Sequence, residues 1–167
     1  MTNFKVIDNF LNDDDLNDVK DNLFEAPLYF QKSVSGMNDS NNYWNYYFTH
    51  LIYMNNKPVS KVFHNVYNIF IPKFEKYGEV KNLIRIKLNF YPYTETLKEH
   101  GQHSDFDYPS YAAVFSLNTC DGFTRLNDGT KIDSVENRIL FFDPSLKHNS
   151  TTTTNSFARW NINFNFL

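Results

Sequence analysis

Three side chains in the C-terminal half of the chain have the types and spacing to hold a metal ion. His103, Ser104 and Asp105 form an H-x-D string. On an extended strand residues i and i+2 point the same way, so this imidazole and carboxylate would share a face. Such a string is common, and alone it is more often a surface histidine beside an acidic turn. Its context changes the reading: His148 follows 43 residues after Asp105, behind the apolar run Ile139 to Phe142, and Arg159 comes 11 residues later in the last β-like segment. Two imidazoles and one carboxylate reduce the formal charge of a divalent ion while leaving adjacent positions open, the facial ligand set of non-heme Fe(II) oxygenases. His103, Asp105 and His148 are therefore candidate metal ligands and catalytic residues.

The remaining candidates carry less. His64 lies near the apolar stripe of a helix, and His50 has no acidic partner at ligand spacing. His100 stands three before His103, but position 102 is Gln102 rather than a carboxylate. The single cysteine, Cys120, lacks a helical or basic setting that would activate a thiol and reads as a small packed residue.

The elements that must position these groups can be read from periodicity. Residues 4 to 11 form a short strand or edge segment, with Asn12 as N-cap and Asp13 to Asp15 as first-turn acids of a helix over about 13–25 carrying Leu16, Val19 and Leu23. Residues 31–48 read as a long polar loop with Trp44, Tyr46 and Tyr47, either a substrate lid or an aromatic edge of the core. Pro58 and Ser60 open a second helix whose stripe is Val62, Val66, Ile69, Phe70, Phe74 and Tyr77, with Pro72 expected to kink or shorten it and Gly78 closing it. Beyond residue 82 the texture becomes short β-rich runs: LIRIKLNFY, LKEHGQHSD, YAAVFSL, GFTRL, TKIDSV, RILFFD, HNSTTTT and FARWNINFNFL. Eight such runs suit a jelly roll. In the last, Ala158, Trp160, Ile162, Phe164 and Phe166 alternate with Arg159, Asn161, Asn163 and Asn165; in the first, Ile84, Ile86, Leu88 and Phe90 alternate with Arg85, Lys87, Asn89 and Tyr91. Alternation alone equally describes a sheet with a solvated face. The metal constellation favours a polar-lined cavity, with the apolar face covered outside by the two helices.

Composition bounds the class. At 167 residues with 41% apolar and 21% charged residues, the chain suits one domain with a full core, and residues 1–167 are expected to form a single α+β domain with helical N-terminal support over 1–80 and a jelly-roll core over 81–167. A net charge of -3 and a pI of about 5.9 argue against nucleic acid or an anionic membrane as partner. One cysteine excludes an intramolecular disulfide, the first residues lack a basic and apolar leader, and no run approaches the roughly 20 apolar residues that cross a bilayer. A cytoplasmic location is expected. The Asn-, Tyr-, Phe-, Ile- and Lys-rich composition fits an AT-rich genome, viral ones included, in which case the cytoplasm would be a host's.

With these residues in view, nearly the whole chain resembles the Fe(II)/2-oxoglutarate-dependent dioxygenases, in their prolyl 4-hydroxylase-like branch. FKVIDNFLNDDDLNDV looks like their opening strand and helix, NFYP followed by HSD like the first core strand and metal motif, FSLNTCDGFTRL like the strand, turn and Gly-Thr strand, and SVENRILFFDPSLKH like the strand delivering the second histidine. The resemblance implies a double-stranded β-helix, the jelly-roll core of the family. It also implies that His103, Asp105 and His148 bind Fe(II), that Arg159 pairs with the distal carboxylate of 2-oxoglutarate, and that Tyr91 hydrogen-bonds to that cosubstrate. The implied reaction uses O2, with ascorbate as a supporting reductant, to hydroxylate a C–H bond while 2-oxoglutarate becomes succinate and carbon dioxide. Collagen-type members are expected to carry Lys where this chain has Arg159, so the clamp leaves the substrate open. Nucleic-acid-repairing relatives usually carry a second Arg six residues further on, and that position is Asn165. The expected partner is accordingly a peptidyl residue such as proline, or otherwise a free amino acid or small metabolite. The rival is a silent jelly-roll module that binds metal or ligand without turnover. Oligomeric state is not legible.

Overall fold

A computed structural model describes residues 4–35, 42–78 and 80–167. In chain order the elements are β1 (Phe4–Ile7), α1 (Asp13–Phe24), β2 (Tyr29–Gln31), β3 (Tyr47–Met54), β4 (Lys57–Pro58), α2 (Phe63–Phe74), β5 (Leu83–Pro92), β6 (Tyr111–Ser116), β7 (Phe123–Leu126), β8 (Lys131–Asp133), β9 (Ile139–Phe142), β10 (His148–Asn149) and β11 (Ala158–Phe166). A large antiparallel sheet runs in the order β1-β9-β6-β11-β5-β3-β2, with β4 paired to β3, and a small sheet runs β10-β7-β8. The long central strands of the large sheet are β5 and β11, paired from Ala158 opposite Pro92 to Phe166 opposite Leu83.

Each helix forms where the local chemistry favours it. The Asn12 side chain accepts a hydrogen bond from the Asp15 backbone N–H, and three aspartates fill the positively poled first turn of α1. Leu16, Val19 and Leu23 are its buried face. Helix α2 starts at Phe63 without a side-chain cap. Pro58 is not part of it: that residue sits in β4, and Ser60 precedes the helix, its Oγ shared between Val62 N–H and His50 Nε2. Pro72 lies inside α2, which ends two residues later at Phe74, so the stripe is shorter than its apolar spacing suggested. Tyr77 still packs on Phe10 and Phe141 from the turn beyond.

The alternation in β5 and β11 divides the molecule into two layers. Ile86, Leu88, Ile162, Phe164 and Phe166 join Val19, Leu23, Val66, Phe70 and Phe74 in one apolar core between the large sheet and the helices. The opposite face of the same strands is buried as well, although it carries Asn89, Arg159, Asn161, Asn163 and Asn165. The small sheet covers that face, and a second apolar cluster of Ala112, Leu126, Leu140 and Phe142 closes one end. The first 80 residues, expected as helical support, also supply β1 to β4 of the large sheet. No helix among the described residues is long and apolar enough to cross a membrane.

Candidate functional site

The polar cleft lies between the sheets, lined by Lys87, Asn89 and Tyr91 of β5, Arg159, Asn161 and Asn163 of β11, Thr124 of β7, and both His103 and His148. The two histidines meet through the backbone. His103 N–H donates to His148 O and His148 N–H to His103 O, each at 2.9 Å. Residues exchanging both bonds in an antiparallel pair stand directly opposite with side chains on one face, and here the ring centroids are 4.7 Å apart. The run LKEHGQHSD is otherwise not a strand. It follows residues 148–153 through isolated bridges, Glu99 with Thr151 and His103 with His148. Asp105 lies in a bend, so the expected i, i+2 geometry does not deliver it. Its backbone N–H is tied to Pro144 O at 2.9 Å, and its side chain is held from the large sheet.

That holding leaves one oxygen aimed inward. Asp105 Oδ2 accepts from Asn165 Nδ2 at 2.9 Å and lies 3.2 Å from Arg85 Nη2, while Oδ1 faces His103 Nε2 at 3.8 Å. One ligand atom from each of His103, Asp105 and His148 lies within 4.8 Å of the others. The imidazoles are set in the ligand tautomer: Nδ1 of His103 faces Gly101 O at 3.3 Å and Nδ1 of His148 faces Leu146 O at 3.0 Å. A carbonyl only accepts, so each Nδ1 carries the proton and each Nε2 keeps its lone pair. Burial, then the neighbouring His148, lowers the pKa of His103, and burial lowers that of His148, which keeps both neutral. Burial raises the pKa of Asp105, but Arg85, Lys87, His148 and the Asn165 hydrogen bond together outweigh it and hold the group ionised.

Arg159 occupies the far end of the cleft. It is 1% exposed, and Nη2 donates to Thr124 Oγ1 at 2.8 Å while Nε and Nη1 have no partner. Two nitrogens of a buried guanidinium are thus left without an acceptor, a costly state unless an anion completes it. Gly122 makes room for this side chain, since a Cβ there would stand 2.7 Å from both Arg159 Cδ and Thr152 O. Tyr91, opposite Arg159 in the β5–β11 ladder, lies with its ring 5.7 Å from the guanidinium carbon. Burial raises the Tyr91 pKa, so its hydroxyl stays a donor.

His148 and Arg159 lie on consecutive β-like runs of the sequence, but these do not pair as a hairpin: β10 pairs with β7, and β11 pairs with β5 and β6. The two groups face one cleft because the sheets lie over one another. The other histidines are placed as expected. His50 donates to Pro27 O and meets Ser60 Oγ, and His64 is exposed against Phe63. His100 is outside the triad, yet it is buried with Nδ1 at 2.9 Å from Ser150 Oγ, Nε2 unpartnered, and its ring 5.3 Å from that of Tyr91. Sequence reasoning missed Thr124 and Gly122 as supports of Arg159, and Asn165 as a support of Asp105. The polar alternation of β11 was the available signal for Asn165, and nothing local marked the other two. Of loop 31–48, residues 36–41 lie outside the described residues; its flanks place Val34, Ser35 and Tyr47 on the cleft wall and Trp44 beside His100.

No family model and no curated protein matches this sequence. Solved structures do share its fold. A prolyl hydroxylase from Trichoplax adhaerens, in complex with a hypoxia inducible factor oxygen degradation domain peptide fragment, matches with a TM-score of 0.64 at 16% identity over 99% of this chain and 84% of its own. A 2OG-Fe(II) oxygenase family oxidoreductase from Burkholderia pseudomallei gives 0.69 at 12% identity, covering 98% and 85%. HygX from Streptomyces hygroscopicus, with nickel, 2-oxoglutarate and hygromycin B bound, gives 0.65 at 12% identity, covering 99% and 82%. At these identities the likeness is one of fold, extending over almost the entire chain.

Proposed function

We propose that this chain is an Fe(II)- and 2-oxoglutarate-dependent dioxygenase, built on a double-stranded β-helix, that hydroxylates a C–H bond of a peptidyl residue such as proline. The observation that supports it best is the pairing, within one cleft, of a His-Asp-His group with a buried, unpartnered guanidinium. The donor set fits Fe(II): two neutral imidazoles with free Nε2 lone pairs and one ionised carboxylate oxygen. The far end fits a diacid, because Nε and Nη1 of Arg159 are buried donors without an acceptor and a carboxylate is the anion a guanidinium fork takes best. Along β5 and β11 the Asp105 supports, Arg85 and Asn165, stand six residues from the Tyr91–Arg159 pair. That is roughly 20 Å of strand at about 3.3 Å per residue, a span that an Arg side chain, a five-carbon diacid and a ligand group can share.

When bound, Fe(II) would couple oxidative decarboxylation of 2-oxoglutarate by O2 to C–H hydroxylation, with succinate and carbon dioxide as coproducts. The protein's own part is positional. His103 and His148 are locked opposite each other by reciprocal backbone bonds, and Asn165 and Arg85 turn one oxygen of Asp105 toward them. Arg159 orients the diacid and excludes monoacids that cannot reach it, Tyr91 donates alongside, and the covering small sheet keeps bulk water off that end. A small polar metabolite is the second reading, favoured by the buried amide lining in which Asn89 Oδ1 and Asn163 Oδ1 lack partners. The cytoplasm and a peptide or small-molecule partner, rather than nucleic acid, belong to the same proposal.

The test is turnover. With Fe(II), ascorbate and O2 the protein should convert 2-oxoglutarate to succinate, slowly alone and faster with its substrate among proline-containing peptides and free amino acids. Succinate at the blank level across that set, with iron demonstrably bound, would favour the silent binding module instead.

A further inference from the structure

One cation in the cleft has no direct partner in the scheme above. The β5–β11 ladder sets Lys87 opposite Asn163, between the Asn89–Asn161 pair and the Arg85–Asn165 pair. Arg85 is matched by Asp105 and Arg159 stands at the diacid end, whereas Lys87 lines the cleft with His103 and His148 at the triad end. It is close enough for its charge to act on all three triad members. Among the described residues no carboxylate forms an ion pair with it, and its ammonium stands 5.8 Å from the Tyr47 ring centroid. A wall residue needs no charge, and an unmatched ammonium beside a divalent-ion site and Arg85 works against binding of that ion unless an anion is brought in with it. Burial, then Arg85, pushes its pKa down to about 8 although Asp105 opposes the shift, so the cation is held in a place that does not fully compensate its charge.

We propose that Lys87 grips a carboxylate at the triad end of the cleft, opposite the end held by Arg159. This rests on the dioxygenase reading and adds to it a second anion anchor. Two sources could supply that carboxylate: the 2-oxo acid end of the cosubstrate, or an acidic group on the primary substrate. With the first, Arg159 and Lys87 hold the two ends of one dianion. With the second, the primary substrate is a small acid such as a free amino acid rather than an internal peptide residue.

Lys87→Met and Lys87→Gln remove the charge at similar length, and Lys87→Arg keeps it. Mn(II), which supports binding without turnover, is titrated first, then 2-oxoglutarate, then free L-amino acids beside their amides at saturating 2-oxoglutarate. If the cosubstrate is the source, both neutral variants lose about tenfold to a hundredfold in 2-oxoglutarate affinity, as for one charge-assisted hydrogen bond. Mn(II) affinity should not fall, and Lys87→Arg should recover most of the loss. If the substrate is the source, 2-oxoglutarate binding is equal in all variants, while wild type and Lys87→Arg prefer acids to amides and the neutral variants do not. Neutral variants that match wild type within about twofold toward every carboxylate probe overturn the role of Lys87 alone. A wild-type protein that binds neither Mn(II) nor 2-oxoglutarate overturns the dioxygenase reading beneath it.

Discussion

Replacing Arg159 by Met should stabilise the free protein and cripple the loaded one. In the structure Arg159 is among the largest fully buried side chains, with one hydrogen bond to Thr124 and two N–H groups unmatched. Exchanging a buried, incompletely paired charge for an apolar side chain of similar length is neutral or stabilising by about 1–4 kcal/mol. At this chain length each kcal/mol is worth about 2–4 °C, so Arg159→Met should melt several degrees higher without ligand. With 2-oxoglutarate the sign reverses. A carboxylate taken by the guanidinium fork would make two charge-assisted bonds, each worth about 1.5–3 kcal/mol. Losing both weakens binding on the order of a hundredfold to ten-thousandfold. Arg159→Lys should fall between, keeping the charge but not the fork. Calorimetric titration of 2-oxoglutarate into the Mn(II)-loaded proteins, beside melting curves with and without it, reads both effects, and Mn(II) affinity should hardly change. An Arg159→Met protein that binds 2-oxoglutarate within threefold of wild type would refute the clamp and leave the guanidinium as a purely structural group.

Replacing His103 or His148 by Ala should abolish tight Mn(II) or Fe(II) binding while the fold persists by circular dichroism; unchanged affinity in both variants would dissolve the triad. His100 should make stability depend on pH. Burial first, then Arg159, lowers its pKa to about 4. Against an unfolded value of about 6.5 its contribution is present above pH 6.5 and is lost as pH falls toward 4, on the order of 3 kcal/mol. Urea unfolding of wild type and His100→Gln at pH 7 and pH 4.5 should show the smaller pH loss in the variant, and equal losses would contradict this. Gly122→Ala, whose new methyl meets Arg159 Cδ and Thr152 O at 2.7 Å, should cost about 1–3 kcal/mol and displace the clamp. A variant with wild-type melting and 2-oxoglutarate affinity would show that the contact relaxes freely.

What the sequence alone determined was local or periodic. Asn12 and the acids after it mark the start of α1 because capping is a contact between residues three apart. The alternation in β5 and β11 separated a helix-facing side from a polar one because a strand has period two, and the buried asparagines show that the polar side is interior rather than solvated. His103, Asp105, His148 and Arg159 were likewise legible as candidates, since chemistry restricts which side chains can hold a metal or a diacid. How those groups meet was not. His103 reaches His148 through an isolated bridge across 45 residues of chain, Asp105 is turned by Asn165 and Arg85 from the opposite sheet, and β10 and β11, adjacent in sequence, belong to different sheets. The room that Arg159 occupies depends on a glycine 37 residues earlier, and the lack of an ion pair at Lys87 on how the fold places Asp105 against Arg85. Pairing between distant segments is decided by burial summed over whole layers, a quantity no short stretch of residues contains.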